Sequence, residues 1–170
     1  MRLWLPLLAF AALLAVVATA LYKPADRAVH SALVGQPLPA FRTEPLLAGR
    51  PGVASAADGK PRLINVYASW CLPCIAEAPQ LMRLKAAGVR IDGIAVRDTP
   101  EAMRQFLARN GDPYAAIGAD KDGAVQLALG SSGVPETFLV DGRGHILDQH
   151  IGDIRADEVD GILKTLGQAR

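Results

Sequence analysis

From Leu3 to Tyr22 the chain runs 20 residues without a charge, LWLPLLAFAALLAVVATALY. A helix rising about 1.5 Å per residue would cross roughly 30 Å of hydrocarbon with such a stretch, so the pattern predicts a membrane-spanning helix over residues 1–22. Pro6 falls in the first turn, where its missing N–H costs little, and Trp4 and Tyr22 sit where interfacial aromatics belong. The alternative is a cleaved signal peptide, for which Ala18-Thr19-Ala20 offers a small-residue cleavage pattern. The run exceeds the usual signal core of about 7–15 residues, which favours the anchor. On either reading the remainder is exported.

Periodicity is then lost as far as Pro61. Pro24, Pro37, Pro39, Pro45 and Pro51 punctuate this region, read as a tether over residues 23–34 and the start of a folded domain over residues 35–170. GQPLPAF suits an edge or lead-in strand, where proline is tolerated. RLINVYAS is a short, β-rich apolar run of the kind a buried strand shows. PCIAEAPQLMRLKAAG follows at once with helical spacing of Ile75, Leu81, Met82 and Leu84, starting at Pro73, stopping at Gly88 and kinked by Pro79.

VRIDGIAV predicts a second buried strand, and Thr99 caps a helix with Pro100 at its first position. YAAIGAD reads as a strand and KDGAVQLALG as a short helix ended by Gly130. ETFLVDGRGHILDQHIG reads as two strands joined through Asp141-Gly142-Arg143-Gly144. ADEVDGILKTLGQAR closes with an amphipathic helix, apolar at Val159, Ile162, Leu163 and Leu166. Alternating strands and helices followed by a hairpin and a last helix predict a small α/β fold, a mixed central sheet flanked by helices.

Charge adds little. The chain has 18 Lys and Arg against 17 Asp and Glu, and setting aside Arg2 leaves a formally neutral domain with no nucleic-acid footprint. Arg2 on one flank of the apolar run against Lys23 and Arg27 on the other does not code its orientation.

The two cysteines change the picture. Cys71 and Cys74 stand two residues apart in YASWCLPCIAEAP, at a predicted strand-to-helix junction. As zinc ligands they lack partners, since His30, His145 and His150 offer no second pair at metal-binding spacing. As a staple they would close too short a loop to constrain the unfolded chain much. As a redox pair they are well placed: a helix N-terminus stabilises a thiolate, so Cys71 is expected to attack, and Cys74, one turn inside and more buried, to resolve the mixed disulfide.

INVYASWCLPC after a strand resembles the thioredoxin superfamily, with its W-C-x-P-C at the start of the first helix. SALVGQPLPAFR, GVPETFLVDGRGHI and HIGDI narrow the resemblance to the membrane-anchored thioredoxin-like proteins of cytochrome c maturation, the CcmG/DsbE family. That resemblance implies a thioredoxin-like fold and Pro135 as a cis proline facing the cysteine pair, with Trp70 and Pro73 shaping the active-site surface. Asn65 stands where thioredoxins carry a buried aspartate and cannot accept a proton. Glu77 and Glu136 match acidic positions of the family and are expected to bring negative charge near the pair, raising its thiol pKa values and moving protons. Two departures are Ser131-Ser132, where relatives often carry an aromatic, and the Leu72-Pro73 dipeptide between the cysteines.

The function implied is thiol:disulfide exchange in the periplasm, at the bacterial inner membrane. The substrate would be apocytochrome c, reduced before haem attachment, with electrons from a membrane protein of the CcdA or DsbD kind. The redox-active disulfide Cys71–Cys74 would serve in place of any cofactor, and a neutral domain is expected to be monomeric. Two other readings stay open: a general periplasmic thiol reductase, and a redox-inert thioredoxin-fold module that binds cytochrome c assembly partners.

Overall fold

The computed structural model of the chain describes Trp4, residues 8–14, Thr19 and residues 33–168. Residues 8–14 are helical, with Leu8, Phe10, Leu13 and Leu14 exposed. Much of the expected membrane span, and the tether up to residue 32, lie outside the described residues. Among the described residues no helix is long and apolar enough to cross a membrane.

Six strands form one sheet: β1 (Glu44–Pro45), β2 (Arg62–Tyr67), β3 (Ile91–Val96), β4 (Ala116–Asp120), β5 (Glu136–Val140) and β6 (Ile146–Ile151), in the order β1-β4-β3-β2-β5-β6. β2, β3 and β4 run parallel, while β5 lies antiparallel to β2, β6 to β5 and β1 to β4, so the sheet is mixed as the sequence predicts. Every residue of β2 and β3 is buried, which is why these strands read as largely apolar runs. GQPLPAF contributes an isolated bridge, Pro37 to His145, beside hydrogen bonds from Gly35 N to Ile146 O (2.7 Å) and Leu38 N to Gly144 O (2.8 Å).

Helices α1 (Leu72–Ala86), α2 (Pro100–Asn110) and α4 (Val159–Gln168), with Leu46 and Leu47, contribute to the core on one face of the sheet, and α3 (Ala124–Ala128) with Leu33, Leu38, Phe41 and Val53 covers the other. Thr99 caps α2 as expected, accepting from Ala102 N at 3.2 Å. The buried stripe of α1 is Cys74, Glu77, Ala78, Leu81 and Leu84, not the one that hydrophobicity alone predicts: Ile75 is exposed and Met82 half-buried. The phase of this helix follows Cys74 and Glu77, an acid that finds polar partners within the core.

At the start of β2, Arg62 and Asp92 form an ion pair at 2.9 Å, both nearly inaccessible at 4% and 0% exposed. Arg90 also meets Asp92 at 3.0 Å, and Arg62 donates further to Ala54 O and Ala56 O. The pair ties β2, β3 and the preceding loop together.

Candidate active site

β2 delivers the chain to a short loop, Ala68 to Trp70, and Cys71 then serves as the N-cap of α1. Its Sγ accepts from Cys74 N at 3.2 Å, as a capping oxygen would. Pro73 lies in the first turn, where a missing N–H breaks no intrahelical bond. The two cysteines are joined in a disulfide, and the structure is that of the oxidised protein. Cys71 is 3% exposed and Cys74 2%, so the expected contrast in burial is absent in this state. Position distinguishes them: Cys71 faces the free N–H groups of the helix start, and Cys74 stands one turn inside.

Exposed apolar side chains flank the pair. Trp70 is 61% and Leu72 76% exposed, with Pro73 and Ile75 also at the surface. Trp70 is thus a surface residue and not part of the core. The loop beneath it is held by Asp98, whose carboxylate accepts from Ser69 N (2.6 Å), Ser69 Oγ (2.8 Å) and Thr99 N (2.7 Å). The residue before Asp98, Arg97, has a left-handed backbone, φ 48°, a conformation uncommon for a side-chain-bearing residue.

The Val134–Pro135 peptide is cis, as the resemblance implies, and Pro135 is buried, its carbonyl accepting from Gly152 N at 3.0 Å. Glu136 follows at the first position of β5. By strand alternation it shares the face of Phe138 and Val140, and it accepts from Ser131 Oγ (2.7 Å), Ser132 N (2.8 Å) and the Gln149 amide. The cysteines belong to the core of the opposite face. Of the two acids expected to crowd the pair, the structure brings Glu77 to the cysteine-bearing face and gives Glu136 to the loop ahead of Pro135.

Glu77 is inaccessible to solvent, three residues along α1 from Cys74. Its Oε1 accepts from Asn65 Nδ2 at 3.0 Å and its Oε2 from Ile154 N at 3.2 Å. Burial pushes its pKa from an ordinary 4.5 up to about 7, the two hydrogen bonds pull against that, and the Asp153 charge adds to it. A carboxyl poised near neutrality beside a thiol pair can take up or release a proton at physiological pH.

Residues 33–166 match the Redoxin family. HelX, a thiol:disulfide interchange protein of Rhodobacter capsulatus, is 42% identical over 158 residues, spanning 92% of this chain and 90% of its own. DsbE, a thiol:disulfide interchange protein of Escherichia coli K12, is 41% identical over 163 residues, spanning 89% and 85%. The chain belongs to the redoxin family, in its DsbE/HelX group. A thioredoxin family thiol:disulfide interchange protein from Chlorobium tepidum TLS shares the fold, with a TM-score of 0.63 at 24% identity over 76% of this chain and 94% of that one. The architecture is accordingly thioredoxin-like, and like others of the DsbE/HelX group the protein is a thiol:disulfide interchange enzyme with Cys71 and Cys74 as its pair.

Some parts of this site carried no sequence signal. Ser69 and Asp98 are common polar residues on two separate loops, and nothing in their spacing announces a clamp. Tyr114 and Thr137, which complete the surroundings of Asn65, read as ordinary strand residues.

Proposed function

We propose that this protein is a membrane-tethered periplasmic reductant that opens disulfides in apocytochrome c ahead of haem attachment. The observation that carries the direction of the reaction is Glu77, a buried acid one helical turn beyond Cys74, on the face that holds the cysteine core. An ionised carboxylate there disfavours a neighbouring thiolate and accepts its proton, and both effects favour a dithiol that gives up its electrons readily. The haem-attachment motif C-x-x-C-H needs free thiols, which an oxidising periplasm tends to close.

In the reduced protein the Cys71 thiolate attacks one sulfur of the substrate disulfide, forming a mixed disulfide and releasing the first substrate thiol. Cys74 gives its proton to Glu77, attacks Cys71 Sγ, closes the Cys71–Cys74 disulfide and releases the second substrate thiol. The first substrate sulfur leaves as a thiolate and takes its proton from water, the second takes the proton held by Glu77, so two electrons and one proton leave the protein, and a dithiol of the CcdA or DsbD kind restores them. The cysteine pair is itself the electron carrier, so no further cofactor is needed. Trp70, Leu72, Pro73 and Ile75 offer the apolar surface against which a substrate peptide lies, and the backbone beside Pro135 pairs with it.

Glu136 has a different role in this scheme. It holds Ser131 and Ser132, and with them the loop that presents Pro135. The apolar run from Leu3 to Tyr22 supplies the anchor and residues 23–34 the tether, which keep a monomeric domain near its membrane-bound partners and raise effective concentration without new contacts.

The test is a trapping experiment with a Cys74→Ser variant and an oxidised C-x-x-C-H peptide. The reading expects a mixed disulfide between Cys71 and the peptide, and loss of cytochrome c assembly in cells carrying Cys71→Ser. Full assembly with Cys71→Ser would favour a redox-inert binding module. Equal trapping of unrelated disulfide peptides would favour a general reductase.

A further inference from the structure

Asn65 lies at the centre of the sheet, opposite Thr137 of β5 and Gly93 of β3, and is fully buried. It has three polar partners. Its Nδ2 donates to Glu77 Oε1 (3.0 Å) and Thr137 Oγ1 (2.9 Å), and its Oδ1 accepts from the Tyr114 hydroxyl at 2.8 Å. We propose that Tyr114 is a positioning residue for Glu77, acting through Asn65: its hydroxyl fixes which end of the Asn65 amide faces the carboxylate. The inference builds on the reading of Glu77 as the proton carrier of the exchange reaction.

The argument is one of donors and acceptors. A primary amide presents NH2 at one end and a carbonyl oxygen at the other, and a flip exchanges them. With NH2 toward Glu77, the amide stabilises the ionised carboxylate. With the oxygen toward Glu77, it repels the carboxylate and is satisfied only by a protonated acid. Tyr114 decides between the two: a flipped amide would turn NH2 toward the phenol oxygen and leave the buried hydroxyl proton without the Asn65 oxygen it now donates to, so the oxygen stays toward Tyr114 and NH2 toward Glu77. Burial raises the Tyr114 phenol well above its usual pKa of 10, so it remains a donor wherever Glu77 titrates.

Tyr114 is itself held in place from several sides. Its ring stacks on Tyr67 at 4.4 Å, over Gly93, where a Cβ would come within 2.7 Å of the Tyr67 ring and 2.8 Å of the Tyr114 ring. The Tyr67 hydroxyl points to Met103 Sδ at 3.2 Å and does not compete for Asn65. The Tyr114 backbone donates to Asp112 Oδ1 (3.2 Å) and accepts from Arg50 Nη1 (3.2 Å), two residues that form a bidentate ion pair at 2.6 and 2.8 Å. An ion pair at the surface is thus linked through Tyr114 and Asn65 to the buried acid.

The other groups around Glu77 are few. Asp153 and the Ile154 N–H approach from the turn before α4, and Cys74 lies on Glu77's own helix. α2 and α4 meet this core with Met103, Phe106, Val159 and Ile162, which carry no charge. The amide is therefore the main adjustable dipole at the carboxyl.

The experiment follows the Glu77 carboxyl carbon by NMR across pH in the oxidised full chain, where the cysteines are silent. Tyr114→Phe keeps the stacked ring and removes only the hydroxyl. Its expected effect is a rise of the Glu77 midpoint by about half to one pH unit, the scale of weakening one hydrogen bond to a charged group. In an Asn65→Ala background the same substitution should have no effect, since the route runs through the amide. An unchanged or lowered midpoint in Tyr114→Phe, or an equal rise in the Asn65→Ala background, would overturn the proposal. In the unsubstituted chain the Asn65 side-chain amide resonances must move at the Glu77 midpoint, and their standing still would overturn it without reference to any variant. These readouts involve no turnover, so they can fail while Glu77 proves essential for exchange, and a Glu77→Gln variant that still reduces substrate leaves them unaffected.

Discussion

Ser69 donates to Asp98 twice, from its backbone N–H at 2.6 Å and from its hydroxyl at 2.8 Å. The pair fastens the loop that leads into Cys71 to the loop that leaves β3, so the position of Cys71 depends on a carboxylate 27 residues further along the chain. Arg97 makes the connection possible by turning the backbone through the left-handed region just before Asp98.

Asp98→Ala should leave Ser69 N–H without its partner in a half-buried setting. The expected cost is about 1–3 kcal/mol, the penalty for an orphaned polar group, seen as a lower midpoint in urea unfolding of the oxidised protein. Thiol exchange should slow as well, because the Cys71 loop loses its anchor. An unaltered midpoint together with an unaltered exchange rate would mean that the clamp holds nothing.

Glu77 predicts a specific pH dependence of stability. Its folded pKa, about 7, stands above the ordinary 4.5. Between those values the folded protein binds more protons than the unfolded chain, so stability is fully present below the lower value and falls as pH rises through the upper one. At about 1.4 kcal/mol per unit of separation, the loss is on the order of 3 kcal/mol. In Glu77→Gln, measured in the oxidised state from pH 4 to 8, this decline should vanish, and a decline equal to that of the unsubstituted protein would assign it to other groups.

Asp92→Ala should be far more damaging than its distance from the cysteines implies. It leaves Arg62, only 4% exposed, without its ion pair, and the principal cost is the uncompensated buried charge, about 3–5 kcal/mol. Denaturant unfolding would show this as a large loss of stability with the cysteine chemistry of the surviving folded protein unchanged.

Trp70 and Leu72 behave oppositely. Both are largely exposed, so Trp70→Ala and Leu72→Ser should change stability by no more than about 0.5 kcal/mol. If they form the surface that receives a peptide, KM for a peptide disulfide should rise several-fold while reactivity toward a small disulfide stays the same. Equal losses toward both would place their effect on the cysteine pair itself.

Much of this architecture was legible in the sequence because burial and local chemistry coincide there. β2 and β3 are mostly apolar since each is covered on both faces, with Arg62, Asn65 and Asp92 the buried polar exceptions, α2 carries its cap at Thr99, and the cysteines sit where a strand passes into a helix. Periodicity misplaced the inner face of α1 because Glu77 lies within it, and no hydrophobic pattern assigns a carboxylate to a core. Tyr114 meets Asn65 across 49 residues, and only the alignment of β2, β3 and β4 brings the two together. Glu136 looked like a partner of the cysteines from its place beside Pro135, but a strand sends successive side chains to opposite faces, and its own points away from them.

The central claim is that the pair donates electrons, and its reduction potential tests that most directly. The full chain would be equilibrated with dithiothreitol or glutathione buffers and the free thiols of Cys71 and Cys74 counted at each ratio. A potential on the reducing side, near the roughly −270 mV of thioredoxin, is the result this account predicts. A value near the roughly −120 mV of a strong disulfide-forming oxidant would contradict it.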